Sequence, residues 1–450
     1  KTGDRSVRFT FNVEDRELPL ILGLRPILKK AQWAGKDFTA SSLEAPVGSG
    51  PYVVDTFEPG RFIAFRRNPD WWGKDLPFNR GLHNFDEITV EYFGGAGVVF
   101  EAFRAGELSL WLESNPAKWL TNYNFPAVSE GKVKLAELPH QRPSGIEGFA
   151  MNTRKPLFAD WRVREAMTLA FNFELINSTL NGGALPRITS YYSNSELSGD
   201  MSAPASEAVA ALLQPLVDEG LLPATILTDE AVMQPVSSQE NALDRKNLRA
   251  ASALLDEAGW EVGDDGRRRK DGKTLRMEMV HSRTDLLPVM NAYVENLRAL
   301  GVDAVNTHVD QAQMESRTRP PAYDFDMIVG NARSGYFSGS ELKQYYGSET
   351  ADVSAFNLMG LKNPAVDKLT EVVLAAKTKD ELTVATMALD RVLRAQRFWV
   401  PQWFKNTHTV AYFDMYEHPE TLPPYALGEM DFWWYNAEKA AALKAAGALK

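Results

Sequence analysis

The stretch VGSGPYVVDTFEPGRFIAFRRNPDWW, residues 47–72, is the part of the sequence that decides the fold. A Gly-Ser-Gly-Pro turn at 48–51 precedes two apolar runs, and a Glu-Pro-Gly corner at 58–60 separates them. Turn residues between runs rich in Val, Phe and Ile predict a β-hairpin. Pro and Gly interrupt the chain again at 68–73. The residues of this stretch alone establish no more than the hairpin.

Length and composition are those of a globular protein with more than one domain. The chain has 450 residues, of which 44% are hydrophobic and 24% are charged. This length predicts two or three domains. No apolar run reaches the roughly 18–20 residues that a membrane-spanning helix needs. We therefore expect a soluble protein with a sizeable core.

The absence of cysteine and the spacing of histidine and glycine residues disfavour several classes of functional site. Without cysteine it has no disulfides, thiol nucleophiles or Cys-metal sites, and its net charge of −10 argues against nucleic acid as a partner. The six His show no metal-ligand spacing. The segment 266–274 places five residues between its glycines and precedes a strand, which predicts a charged hairpin turn rather than a phosphate-binding loop. We expect no cofactor and no metal.

Hydrophobic periodicity predicts an alternation of strands and helices. The region to about residue 151 is rich in strands, with a β-α-β unit over 85–93, 98–105 and 108–112. A second β-α-β unit is predicted over 275–280, 286–300 and 302–309. The other predicted elements are strand 146–151, helix 161–176 capped by Asp160, helix 244–258, strand 325–329 before a loop at 330–339, helices 364–376 and 380–395, strands within 400–436, and a helical or loose tail at 437–450. This order favours two α/β lobes with more than one crossing.

Six further blocks, taken together with 47–72, resemble a known family. They lie at residues 149–153, 158–166, 251–260, 325–328, 363–367 and 400–403. In this order, the blocks resemble those of extracytoplasmic solute-binding protein family 5, the binding proteins of peptide-type ABC importers. The segments 78–86 and 193–197 resemble the YejA-type branch of that family.

The resemblance implies an α/β, two-lobed periplasmic-binding-protein fold of type II, cluster C-like. The implied first lobe is 1–151, with 1–46 as the remainder of its extra subdomain, the second lobe is 152–400, and 401–450 returns to the first lobe and ends in a tail. Family members have a longer segment before the Gly-Pro-Tyr block, whereas 46 residues precede Val47 here. We therefore expect that part of the first lobe is missing from this chain, and that a signal peptide is removed or absent.

The function implied by the resemblance is that of the binding component of an ABC importer. It would capture a peptide or peptide-like ligand (an oligopeptide, a peptide antibiotic or a cell-wall-derived peptide) between two closing lobes and deliver it to a membrane permease. The implied location is the periplasm of a Gram-negative bacterium, and the expected state is a monomer that does no chemistry.

The loop 330–339 is the leading candidate for a ligand contact. It follows the carboxyl end of a predicted strand, where open α/β sheets bind ligands. The equivalent loop of oligopeptide-binding family members carries an Asp that pairs with the α-amine of the peptide. This loop has no acid and offers Arg333, with Asn331 and Tyr336 beside it. Because Arg pairs bidentately with carboxylates, the sequence predicts a ligand with acidic groups; a solvated surface Arg is the alternative.

Other candidates rest on position and are each open to a structural interpretation. His281 and Arg283 follow strand 275–280 and either line the cleft or lie in an exposed loop. Tyr191 and Tyr192 either contact the ligand or pack in the core. By family position, Trp403 in the returning strand, and Trp111 with Asn115 in the first lobe, are cleft-wall candidates, although an arbitrary Trp is more often in the core.

Two other functions stay open from the residues. A secreted hydrolase with a carboxylate pair is one, because acidic residues are plentiful and none is singled out. A sensor domain that reports a ligand to a membrane partner is the other.

Overall fold

The 47–72 stretch forms the predicted hairpin in the computed structural model, which describes residues 1–12, 17–40, 42–94, 96–200, 202–335 and 338–449. Strand β1 (Tyr52–Glu58) pairs antiparallel with β2 (Phe62–Arg67), and the register shifts between Val54 and Thr56. Such a shift is typical of a β-bulge and adds twist. Strand β3 (Glu87–Glu91) extends the hairpin by pairing with β2.

Strands and helices alternate along the rest of the chain. The strands are β4 Leu110–Leu112, β5 Val133–Pro139, β6 Ile146–Met151, β7 Glu261–Val262, β8 Arg268–Lys270, β9 Lys273–Thr274, β10 Arg276–His281, β11 Asp303–His308, β12 Met327–Ala332, β13 Trp399–Pro401, β14 Thr407–Phe413, β15 Tyr416–Glu417 and β16 Trp434–Tyr435. The helices are α1 Leu18–Gly23, α2 Lys30–Trp33, α3 Ala96–Arg104, α4 Pro116–Asn122, α5 Pro126–Ser129, α6 Trp161–Leu169, α7 Phe173–Leu180, α8 Glu207–Asp218, α9 Thr225–Thr228, α10 Arg245–Glu257, α11 Leu287–Ala299, α12 Gln311–Thr318, α13 Glu341–Tyr346, α14 Pro364–Ala375, α15 Lys379–Ala395 and α16 Ala437–Ala445. Short 3₁₀ turns lie at Pro77–Asn79, Pro156–Phe158, Glu196–Ser198 and Ser348–Thr350.

The chain divides into two compact units. Unit 1 comprises residues 1–23 and 142–406, and unit 2 comprises 24–141 and 407–450. The lobe boundaries expected from the sequence lie at 151/152 and 400/401. In the structure, strand β6 and the segment 401–406 both belong to unit 1. The N-terminal residues 1–23 also belong to unit 1.

The centre of unit 1 is a five-stranded sheet with the order β11-β10-β12-β6-β13. Strand β10 runs parallel to β11 and β12, whereas β6 runs antiparallel to β12 and β13. The predicted β-α-β unit over 275–309 is therefore confirmed. Alternate residues of β6 enter two different core clusters, Ala150 in one and Phe149 in the other. Apolar residues thus cover both faces of the sheet, as in other α/β sheets that carry helices on each side.

Three predictions on secondary structure are wrong. The predicted helix 161–176 is two helices, because the Asn172 side chain accepts from the Leu175 N–H and begins α7. The predicted β-α-β unit over 85–112 does not form, because β3 pairs with β2 while β4 pairs with the distant β14. The predicted loop at 330–339 starts later, because β12 continues to Ala332, which lies opposite Ile146.

Unit 2 holds the β1-β2-β3 sheet, a β4-β14-β5 sheet and the small β15-β16 pair. Its main core cluster contains many aromatic residues, including Phe103 and Phe413, and helix α16 contributes Ala440 and Leu443.

Two further expectations concern the segment 266–274 and membrane-spanning helices. The segment 266–274, which belongs to unit 1, forms the predicted hairpin through β8 and β9. Within the described ranges, no helix combines the length and apolar character needed to cross a bilayer.

Candidate functional site

One edge of the unit 1 sheet brings several predicted site residues together. The parallel strands β10 and β12 end at this edge, and the antiparallel β6 begins there, with Glu147 opposite Asn331. Arg283, two residues beyond β10, lies 3.6 Å from the Glu147 carboxylate (Nη1 to Oε1) and 2.6 Å from that of Asp285 (Nη2 to Oδ2). Burial raises the pKa of Glu147, and the Arg283 guanidinium opposes that rise. The edge thus carries both acceptor and donor groups.

Arg333 is an exposed cation at this edge. It follows the last residue of β12, and within the described ranges no carboxylate oxygen lies within 4.0 Å of its guanidinium. The backbone of Arg333 packs closely against Gly145, which has a φ of +64°. A Cβ on Gly145 would lie 2.4 Å from the Ala332 carbonyl oxygen and 3.1 Å from the Arg333 Cα. Asn331 is exposed as well. An exposed guanidinium with no internal acid is available to a carboxylate ligand.

His281 lies under this edge. It is 0% exposed, and its Nδ1 is 2.9 Å from the Arg283 carbonyl oxygen, while its ring centroid is 5.2 Å from that of His308. Burial lowers the pKa of His281, which favours the neutral ring at pH 7. The contact with Arg283 fixes the turn that carries the guanidinium. Direct contact of His281 with a ligand stays a prediction.

Tyr191 and Tyr192 pack in the core of unit 1, at 3% and 1% exposure. The Tyr191 ring lies 5.7 Å from that of Tyr346, and the Tyr192 hydroxyl accepts from Ser338 at 2.9 Å. This is the structural interpretation that the sequence left open. Both side chains are almost fully enclosed in this packing, so stacking on a ligand stays a prediction without support from their placement.

Trp403 is 9% exposed and also belongs to a core cluster of unit 1. Its backbone forms an isolated bridge with Arg187, whose guanidinium lies 4.1 Å from the Phe173 ring centroid. Arg187 in turn pairs with Glu174. The Trp403 ring centroid lies 6.3 Å from that of Phe173, and the role of Trp403 as a cleft wall stays a prediction.

The remaining predicted site residues lie elsewhere. Trp111 and Asn115 belong to unit 2. The Asn115 side chain accepts from the Lys118 N–H at 3.0 Å and caps helix α4, and Trp111 packs against the main core cluster of that unit. Both positions have a structural explanation, and a ligand contact there stays a prediction. Tyr336 lies outside the described residues.

Sequence reasoning missed Glu147 and Asp285, the two acids that face Arg283. Asp285 is two residues from a predicted site residue, so its proximity was available from the sequence. Glu147 was not, because it reaches the edge only through the antiparallel pairing of β6 with β12. Among the described residues, no three His, Asp or Glu side chains gather closely enough to hold a metal ion.

The family comparison agrees with this fold. The family of bacterial extracellular solute-binding proteins, family 5, matches residues 1–353. The chain belongs to this family of extracellular binding proteins, as its sequence blocks predicted.

Individual relatives give the same assignment. A Brucella melitensis protein is 39% identical over 444 residues, which cover 97% of this chain and 70% of that protein. "Probable peptide-binding protein YejA" of Agrobacterium fabrum is 37% identical over 445 residues, covering 96% of this chain and 71% of the relative. A periplasmic oligopeptide-binding protein of an ABC transporter from Thermotoga maritima superposes with a TM-score of 0.64 at 18% identity, over 90% of this chain and 72% of that one. The predicted two-lobed type II α/β fold is thereby confirmed.

Proposed function

We propose that this protein is the binding component of a bacterial ABC importer and that its ligand is a peptide or peptide-like molecule with acidic groups. Membership of solute-binding family 5 supports the transport role. The name of the Agrobacterium fabrum relative and the similarity to an oligopeptide-binding protein support a peptide ligand. The periplasm as its location, the monomeric state and delivery to a membrane permease are parts of this proposal.

The observation that carries the acidic ligand is the state of Arg333. The edge holds two arginines that differ in their partners: Arg283 already faces Asp285 and Glu147, whereas no described acid neutralises Arg333. A ligand carboxylate can pair with Arg333 without breaking an internal salt bridge. Asn331, exposed at the end of the same strand, adds an amide that can donate or accept.

The test is isothermal titration calorimetry with a peptide rich in Asp and Glu. Arg333→Ala should weaken binding by about 10- to 150-fold, because a hydrogen-bonded charge contact contributes about 1.5–3 kcal/mol. Arg276→Ala is the matched control, since Arg276 is an exposed arginine at the opposite end of strand β10 in the same sheet. Equal affinities for wild type and Arg333→Ala would remove Arg333 from the site.

A second experiment separates binding from chemistry. The protein is incubated with the peptide for a day, and the peptide is then analysed by mass spectrometry. Intact peptide is the expected result for a binding protein, and cleaved peptide would favour the hydrolase. Mass spectrometry of ligand co-purified with the protein would identify the natural cargo, and stimulation of a reconstituted permease would test delivery.

A further inference from the structure

Strands β3 and β4 are open edges of two different sheets in unit 2. Strand β3 ends the β1-β2-β3 sheet and β4 ends the β4-β14-β5 sheet, so no described strand pairs with the second side of either. Residues of both strands line one open groove of about 410 Å³, and every lining residue belongs to unit 2. This volume is in the range of ligand-binding pockets, about 300–1,000 Å³. The groove therefore brings two unpaired strand edges together.

The hydrogen bonds at the two ends of β3 show which of its backbone groups are unpaired. The Arg67 N–H donates to the Asp86 carbonyl oxygen at 2.8 Å, and the Tyr92 N–H donates to that of Arg61 at 2.7 Å. Because the residues of an antiparallel ladder bond to their partner alternately, the even-numbered residues of β3 bond to β2. The residues whose backbone N–H and C=O groups point away from β2, with no described strand to receive them, are Glu87, Thr89 and Glu91.

Strand β4 has the same property. The Phe413 N–H donates to the Ser109 carbonyl oxygen at 2.9 Å, and the Glu113 N–H donates to that of Thr409 at 3.0 Å. The residues of β4 whose backbone groups point away from β14 are therefore Leu110 and Leu112. Natural proteins often protect an exposed edge with charged residues or proline. The sequence of β4, Leu-Trp-Leu, has neither.

Apolar side chains between the two edges are exposed. Val90, Tyr92 and Met430 line the groove and are 37%, 51% and 51% exposed. A contiguous exposed apolar surface is typical of an interaction site. Since successive side chains of a strand point to opposite faces, an added strand needs apolar residues only at alternate positions to cover this lining.

The charged residues of the groove are acidic. Glu87, Glu91 and Glu429 line it, and none of the described lining residues is Lys, Arg or His. Arg66, opposite Glu87 in the ladder, and Arg61, near Glu91, each pair with an acid of β1 instead. The groove is therefore complementary in charge to a segment with basic ends.

We propose that this groove binds an extended polypeptide strand, apolar at alternate positions and basic at its ends, which pairs with the open edge of β3. The five residues of β3 span about 17 Å. The outward backbone groups of β3 hold such a strand, and the apolar lining and the acids select its side chains. This binding is independent of the acidic ligand proposed at the unit 1 edge.

The first test is fluorescence anisotropy with the labelled peptide KKVTVTVKK. We expect saturable binding to the wild type and weaker binding of EEVTVTVEE, which has acidic ends. Thr89→Pro should weaken KKVTVTVKK binding by about five-fold, because proline removes the outward N–H of an edge strand and leaves the bonds between β2 and β3 in place. Thr89→Val keeps that N–H and should bind like the wild type. Equal affinities for these two variants, or no saturable binding to the wild type, would overturn the proposal.

The second test needs no variant. Hydrogen exchange is measured residue by residue in the wild type, with and without KKVTVTVKK. We expect slower exchange at the outward amides of Glu87, Thr89 and Glu91, and little change at Ile88 and Val90, which bond to β2. Unchanged exchange at the three outward amides would overturn the proposal. Sedimentation that shows a dimer dissociated by the peptide would also overturn it, because a second copy of the chain would then be the occupant.

Discussion

Asp390 gives the folded state a pH dependence that can be worked out from its surroundings. The residue is 0% exposed on helix α15, and its Oδ1 accepts from the Tyr191 N–H at 2.8 Å. Burial raises the pKa of Asp390 from 3.8 to about 6, against the opposing effect of Arg394. The perturbation we consider is Asp390→Asn, which keeps the shape of the side chain and removes its titration.

The sign follows from proton linkage. Because the folded pKa lies above the unfolded value, the folded state binds the proton more tightly, and stability falls as the pH rises between the two values. The difference between 3.8 and about 6 corresponds to about 3 kcal/mol of unfolding free energy. This contribution is complete below pH 3.8 and lost above pH 6, with about 2.4 kcal/mol of it lost between pH 4 and pH 7.

The assay is urea unfolding followed by circular dichroism at half-unit steps from pH 4 to pH 7. The wild-type free energy of unfolding minus that of Asp390→Asn should fall by about 2.4 kcal/mol over this range. Subtraction removes the other titrating groups. Asp380→Asn is the control for loss of an exposed carboxylate from the same helix. Parallel curves for wild type and Asp390→Asn would refute the reasoning, whatever the absolute stability of the variant.

Two further predictions concern a glycine and a helix cap in unit 1. Gly145→Ala should lower the free energy of unfolding by about 1–3 kcal/mol and weaken acidic-peptide binding in calorimetry, because its Cβ would lie 2.4 Å from the Ala332 carbonyl oxygen. Gly220→Ala, at a φ of +73° with open space around it, is the control, and an equal loss in both would refute the close-approach argument. Thr378→Ala should cost about 1 kcal/mol in urea unfolding, because it removes the capping box that Thr378 forms with Glu381 at the start of α15; an unchanged midpoint would contradict this.

Local signals in the sequence predicted the elements that local interactions determine. The β-α-β unit over 275–309 and helix α10 after Asp244 were found, because periodicity, caps and glycine stops lie within the segments themselves. The β3, α3 and β4 segments were found individually, but their pairing was not. Strand β4 joins β14, about 300 residues later, and no short-range pattern carries that information.

The candidate site likewise contains residues that the sequence predicted and residues that it did not. Arg333 and Arg283 were predicted because each follows a strand, and open α/β sheets bind ligands at the carboxyl ends of their strands. Glu147 was missed because its strand is antiparallel, so its first residues, not its last, reach that edge. The burial of Tyr191 and Tyr192 depends on helices far along the chain, among them α13, which supplies Tyr346.

Arg333 has no close carboxylate among the described residues, so its exposure determines how ligand affinity should respond to salt. Arg333 is exposed, so any dissolved ion screens its attraction for an acidic ligand, and peptide affinity should depend on ionic strength rather than on the anion used. Exchange of one monovalent anion for another at fixed ionic strength should therefore leave the peptide affinity unchanged, and a large change would contradict the screening argument.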